Sequence, residues 1–315
     1  MRIAVLGAGS IGSLLAGLLA QNQNLNLLVH AKGDHGAMMV AKGLEIQGEA
    51  SMVISPEQVM FTLDEVGLPA SLFGTMDAVL LTGKADSTEQ LARIAHDLLH
   101  PEGVAVSLSN GLGHAETCAS ILGPHRVFTG TTTYAAWRPS PGVVHFAGRG
   151  NLVLGHLQGG PTLNQAQPLL DMLNSVGIES KWTENGPASV WMKVLLNIAI
   201  NPIAALSGVE NGSLLSPALF SASLETMLEG ARIARQERVE LPDDLELEQH
   251  LQHVLEATAK NHCSMLQDIR AGRITEIGYL NHAVVERGER VGLPAPMNHM
   301  LCAMIDALTP QANQH

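Results

Sequence analysis

Positive charge is in short supply along this chain. Lys and Arg number 18 against 30 Asp and Glu, a formal net charge of −12 at pH 7, and nucleic-acid binders normally present a basic face. Nucleic acid is therefore not expected as a partner, and an anionic ligand would have to be attracted by a few local cations. Cysteine is scarce too: Cys118, Cys263 and Cys302 are odd in number, widely spaced and form no CxxC pair. Neither a disulfide framework nor a cysteine-rich zinc site is indicated, and a reducing cytoplasm fits best. There is no low-complexity tract, and a composition of 46% hydrophobic and 15% charged residues is that of an ordinary globular protein. No secretory leader is expected, because residues 1–20 are apolar but carry glycines at fixed spacing and only Arg2 as a charged start. A clean membrane run is missing as well. The most apolar stretch, VWMKVLLNIAINPIAAL from Val190 to Leu206, is about one turn short of the ~20 residues of a span and contains a lysine, two asparagines and Pro202.

What that stretch does contain is a pattern. Lys193, Asn197 and Asn201 recur every fourth residue, and on a helix steps of four drift by only about 40°, so the three form one narrow stripe. A surface helix would carry a broad polar face, whereas the flanks here are Trp191, Met192, Val194, Leu195 and Ile198. Buried amides and a buried ammonium need partners, since leaving one unpaired costs roughly 1–3 kcal/mol for a neutral group and more for a charge. A polar ligand in a cleft would supply them.

With 315 residues, two domains are expected. The first half alternates β-branched runs with helical stretches: RIAVLGAG, a helix to about Ala20, LNLLVHA, DAVLLTGKA, a helix over Ser87 to Leu99, and GVAVSLSN. That order predicts an α/β fold, a Rossmann-type doubly wound parallel sheet. GLEIQGEASMVI reads as an antiparallel excursion, and Val127 to His156 as later strands around a turn at Pro139 to Gly142. From Pro187 onward the periodicity is helical, with breaks at Gly208 to Pro217, Pro242 and Gly292 to Pro296. The boundary falls near Glu184 to Pro187, giving a nucleotide-binding domain over residues 1–184 and a C-terminal all-helical domain over 185–315.

Gly7-Ala8-Gly9-Ser10-Ile11-Gly12 follows the first strand and opens a helix, the context a GxGxxG motif requires. Gly7 permits the tight turn, Gly9 lets backbone approach a pyrophosphate, Gly12 allows close helix packing, and the helix N-terminus faces the anion. An NAD site usually has Asp or Glu at the end of the second strand, for the ribose 2′-hydroxyl. That place reads Val29-His30-Ala31-Lys32, so Lys32 or His30 could meet a 2′-phosphate and NADP is favoured; each is equally readable as a solvated loop charge. Lys84 and Asn110 stand at the ends of DAVLLTGK and GVAVSLSN, the side of a doubly wound sheet where ligands bind. A surface lysine and a turn-capping amide are the plainer readings of the two.

Taken together, GAGSIG, TGKA at Lys84, SNGLG at Asn110, GTTTYAA at Gly130, WMKVLLNIAINP at Lys193, NGSL at Asn211 and SMLQDIRAGRITEIGYLN from Ser264 resemble the ketopantoate reductases, in order and over nearly the whole chain. The resemblance implies a Rossmann-type domain and a helical domain with the active site in the cleft between them. It also implies NADPH-dependent reduction of ketopantoate to pantoate on the route to pantothenate. By motif, Lys193 resembles the family's catalytic lysine, and Asn197, Asn201, Asn211, Asn261 and Ser264 its substrate contacts. Gly7, Ala8, Gly9, Ser10, Ile11, Gly12, Lys84, Asn110, Ala136 and Glu276 resemble its cofactor contacts, with Asn110 touching both ligands. The family commonly has an arginine just after the second strand, where this chain has Ala31 followed by Lys32.

The chemistry stands on its own. Reducing a ketone puts negative charge on oxygen as hydride reaches carbon, so a cation or proton donor must sit there, and Lys193 is the best candidate. Burial would lower its pKa, while an anionic substrate or Glu276 would raise it; Glu276 also reads as an ordinary helix surface residue. Pro202 is expected to kink the helix beyond Asn201. His96 and His100, like His250 and His253, have metal-like spacing but no third ligand, so no metal is expected. Ser109-Asn110-Gly111 is not a GxSxG elbow. Besides ketopantoate reduction, the sequence leaves open a reductase of another branched 2-keto acid, an NAD-dependent 2-hydroxy-acid dehydrogenase and an NADPH-binding sensor without turnover.

Overall fold

The computed structural model describes residues 1–308, so the last residues of the expected second domain lie outside it. By contacts the chain divides into two units, Met1–Ser109 with His114–Ser189, and Asn110–Gly113 with the chain from Val190 onward.

In the first unit the apolar opening forms β1 (Arg2–Leu6) and α1 (Ser10–Leu19), then β2 (Asn26–Ala31) and α2 (Gly33–Lys42). The chain continues through β3 (Leu44–Gly48), β4 (Met52–Ile54), β5 (Met60–Leu63), β6 (Met76–Leu81), α3 (Thr88–Leu98) and β7 (Leu99–Ser107). After α4 (His114–Leu122) come β8 (Val127–Thr132), β9 (Ala135–Ser140), β10 (Val143–Gly148), β11 (Leu152–His156), α5 (Leu163–Ser175) and β12 (Ser180–Thr183). Eight strands form one sheet in the order β12-β11-β8-β7-β6-β1-β2-β5, parallel except where β11 meets β8. Burial on both faces explains its apolar strands. Ile3 and Val5 join one core with Leu27, Val29 and the α1 leucines, while Ala4 and Leu6 join the other with Leu91 and Ala95 of α3. The expected antiparallel excursion is present as β3 and β4, Leu44 opposite Ile54. It belongs to a second sheet, β4-β3-β10-β9, which packs on α1.

The second unit takes in α6 (Gly186–Ser207), which starts in the first, then α7 (Pro217–Gln236), α8 (Asp244–Ala257), α9 (Ser264–Arg270), α10 (Asn281–Val291) and α11 (Pro296–Leu308). Trp191, Val194, Leu195 and Ile198 of α6 are buried with Met227, Leu251, Val284 and Leu301 in one core. α6 is long and apolar enough to cross a membrane by length and composition, as a buried core helix also can be.

α6 runs through Pro202 to Ser207. Two details differ from the sequence reading. β6 and β7 end at Leu81 and Ser107, so Lys84 and Asn110 stand in the following loops rather than at strand termini. Helices α2 and α4 and strand β5 had no counterpart in the sequence pattern.

Candidate functional site

The glycine loop sits where the sheet order reverses, between β1 and β6. Gly7 adopts a φ of 78°, and a Cβ there would lie 2.5 Å from Gly83 Cα on the loop after β6; only glycine satisfies both demands. A Cβ on Gly12 would collide with Thr82 Oγ1, whereas one on Gly9 would meet nothing nearer than 3.9 Å, so the middle glycine has open space at its Cβ position. Gly7 and Ala8 both donate backbone N–H to His30 O at 3.0 Å, and Thr82 Oγ1 donates to Leu6 O at 3.1 Å. α1 then begins with no capping side chain and no acidic residue in its first turn. Ser10 and Ile11 thus open a helix whose first donors and positive dipole end suit an anionic phosphate.

Behind the loop lies a buried relay. Gly142 N donates to His35 Nδ1 at 2.9 Å, so His35 carries its proton on Nε2, 3.0 Å from Ser13 Oγ, and Ser13 in turn donates to Ala8 O at 3.2 Å. Burial, with Arg138 adding to it, pushes His35 down to about 4.

Residues expected to read the cofactor's far end are divided. His30 is 2% exposed with its ring committed, Nδ1 3.0 Å from Thr62 Oγ1 and Nε2 3.2 Å from Asp64 Oδ1, so it is not presented to a phosphate. Lys32 is exposed and extended at the start of α2. Lys84 is exposed, and its carbonyl accepts from Ser87 N and Oγ. Ala136 lies on β9, opposite Phe146, part-buried against the core that holds α1.

In the second unit, Asn110 Nδ2 lies 3.4 Å from Glu276 Oε2, and Leu112 N donates to Tyr279 O at 3.0 Å. Gly111, at φ 111°, permits this, since a Cβ there would be 2.5 Å from Tyr279 O. Lys193 is part-buried; burial draws its ammonium down to about 8, and the Glu276 carboxylate pulls the other way. Farther along α6, Asn201 is 8% exposed and its carbonyl accepts from Cys263 Sγ at 3.4 Å, which brings the residue before Ser264 against the stripe. Asn211 N donates to Asn261 O at 2.9 Å. Lys193, Asn110 and Glu276 thus form one group, and Asn201, Asn211, Asn261 and Ser264 another, joined by α6.

Several of these groups are incompletely partnered. The Asn197 and Asn201 side chains make no hydrogen bond among the described residues. Asn211 donates to Thr258 Oγ1 at 3.0 Å, but its Oδ1 is buried without a partner among the described residues, as are His262 Nδ1 and Thr275 Oγ1. Sequence reading passed over His262 and Thr275, although each adjoins a motif residue or its neighbour, Cys263 and Glu276. His96, beside Asp97, is exposed on α3, and Ser109 Oγ donates to Gly83 O at 3.0 Å, which ties two loops together.

A doubly wound sheet with a glycine loop after its first strand, followed by a helical unit with a part-buried lysine and amide stripe, defines a Rossmann-type α/β protein. The chain belongs to the ketopantoate reductase family. Residues 3–159 match the family profile described as ketopantoate reductase PanE/ApbA, and residues 187–309 match its C-terminal profile. A 2-dehydropantoate 2-reductase of Pyrococcus horikoshii is 34% identical over 98% of this chain and 97% of its own. Among solved structures, a PanE/ApbA family ketopantoate reductase from Ralstonia eutropha JMP134 is 27% identical with a TM-score of 0.85, covering 98% of both chains. A D-mandelate dehydrogenase solved with NADH and anilino(oxo)acetate shares the fold at a TM-score of 0.89 and 24% identity, again over 98% of both chains.

Proposed function

We propose that this protein reduces 2-dehydropantoate (ketopantoate) to pantoate in the cytoplasm, with NADPH as reductant and Lys193 as proton donor, in the synthesis of pantothenate. The observation that carries the reading is the α6 stripe: an ammonium lowered by burial to about 8, in line with two amides whose side chains make no hydrogen bond among the described residues. Family membership and the 34% identity to a 2-dehydropantoate 2-reductase support the same substrate.

The dinucleotide suits the glycine loop because the α1 start has neither capping side chain nor carboxylate, and Gly9 is open. Gly7 to Gly12, Lys84, Asn110, Ala136 and Glu276 would hold it, with Lys32 meeting the 2′-phosphate. A reduced nicotinamide held by these residues would supply the hydride for the keto carbon. Lys193 holds its proton at neutral pH yet gives it up readily, since its pKa lies near the working pH, and it donates to the carbonyl oxygen as negative charge develops. Glu276 opposes the lowering of that pKa. Asn197, Asn201, Asn211, Asn261 and Ser264 bind carboxylate and hydroxyl without adding fixed charge.

The test is a steady-state comparison of ketopantoate with 2-ketoisovalerate, which lacks the 4-hydroxyl. A site built to bond a hydroxyl rejects the analogue by up to about 10⁴-fold, so kcat/KM should favour ketopantoate by at least about 10²-fold, with Ser264→Ala narrowing the ratio. Comparable values would indicate a reductase of broader 2-keto-acid range, and binding of NADPH without oxidation a sensor.

A further inference from the structure

β2 ends without a carboxylate, yet two carboxylates stand beside its end on the neighbouring strand. β5 runs parallel to β2 with Leu63 opposite Ala31, and Asp64 N donates to Ala31 O at 2.9 Å, so Asp64 and Glu65 emerge level with Lys32 and Gly33. Asp64 is engaged by His30 Nε2 at 3.2 Å and by Gln90 Nε2 at 3.1 Å to each oxygen. Glu65 is exposed and accepts the Gly33 N–H at 2.9 Å. Gly33 is the first residue of α2, and Asp34 adds a further negative charge in that first turn.

The Gly33 N–H is one of the donors a helix start leaves without an intrahelical acceptor. At the end of the second strand of a dinucleotide fold, a carboxylate recognises a ribose 2′-hydroxyl, whereas a 2′-phosphate needs cations and free N–H donors. Here one exposed cation, Lys32, stands beside Asp34, Asp64 and Glu65, and the donor on which a phosphate would settle is held by the Glu65 carboxylate. We infer that Glu65 sets the cofactor specificity of this chain: its carboxylate competes with a 2′-phosphate for the Gly33 N–H and holds the NADP preference that Lys32 supplies to a small factor. The inference rests on the reading that a nicotinamide dinucleotide binds at the glycine loop.

Calorimetric titration of the full chain with NADPH and with NADH tests it, in the wild-type protein and in Glu65→Gln, Glu65→Ala and Lys32→Ala variants. Glu65→Gln removes the charge and keeps an acceptor; Glu65→Ala removes both. The ratio of NADPH to NADH affinity should rise about tenfold in Glu65→Gln, rise further in Glu65→Ala, and fall in Lys32→Ala. Because Glu65 is exposed, the gain should shrink as salt is added, which a merely structural role would not produce. Binding of both dinucleotides with a ratio unchanged in both Glu65 variants would overturn the inference. Failure of the wild-type protein to bind either one would instead overturn the dinucleotide reading, and the inference with it.

Discussion

The polar groups around the glycine loop and those along the α6 stripe are handled in opposite ways. Ser13, His30, His35 and Thr82 all have protein partners, and their hydrogen bonds fix the backbone from behind. Every buried side-chain atom without a partner among the described residues, on Asn211, Ser223, His262, Thr275 and Asn281, lies in the second unit. One region is internally complete and presents backbone; the other leaves side-chain atoms open. Complete networks contribute to stability, whereas open groups cost stability until something binds.

The comparison breaks most visibly at Lys193. Lys193→Met should lower turnover by about 10²–10⁴, while urea unfolding at pH 7 shows equal or greater stability. The sign follows from the pKa: the ammonium falls from 10.5 to about 8 on folding, so the folded state is favoured fully above the higher value and loses that advantage as pH falls through the lower. At neutral pH the wild-type protein carries that cost, about 3 kcal/mol at most. A folded Lys193→Met protein with near-normal turnover would return the stripe to a structural role.

His35 follows the same sign, with its window below neutral pH. Its pKa is depressed from 6.5 to about 4, so its share of stability is complete above the first value and disappears as pH falls through the second. Between pH 7.5 and 4.5 the wild-type protein should lose about 2–3 kcal/mol more than His35→Gln does, measured by denaturant unfolding. Parallel curves would mean that the relay behind the loop contributes nothing.

The smallest effect sharpens the contrast. Asn201→Leu should raise the KM for the keto acid by roughly tenfold, the worth of about 1.4 kcal/mol of hydrogen bonding, and leave the unfolding midpoint unchanged or higher. A clear loss of stability would show that Asn201 already has all the partners it needs.

Much of this arrangement is legible in the sequence where spacing carries it. The GAGSIG loop and the four-residue stripe are periodic, and periodicity survives without knowledge of the fold. β5 was not legible, because MFTL is four residues long and gains its place only by pairing with β2. Helix α2 was hidden by its GDHG opening, which lacks an apolar repeat. Asp64 and Glu65 were missed for the same reason as β5: they reach the end of β2 through strand pairing, not through sequence proximity. His30 looked available because a sequence does not show that Thr62 and Asp64 close over its ring. Nor does it show that Asn110–Gly113 leaves its own sheet to join the helical unit.

That the lysine and both amides ride on one uninterrupted helix, α6, gives the stripe a phase as well as a place. Each residue on a helix turns the next by about 100°. A single insertion between Lys193 and Asn201 would therefore swing Asn201 out of line and carry an apolar neighbour into its position. The segment can absorb many substitutions but almost no change of length, and drift among relatives should respect that frame far more strictly than it respects the identity of the intervening side chains.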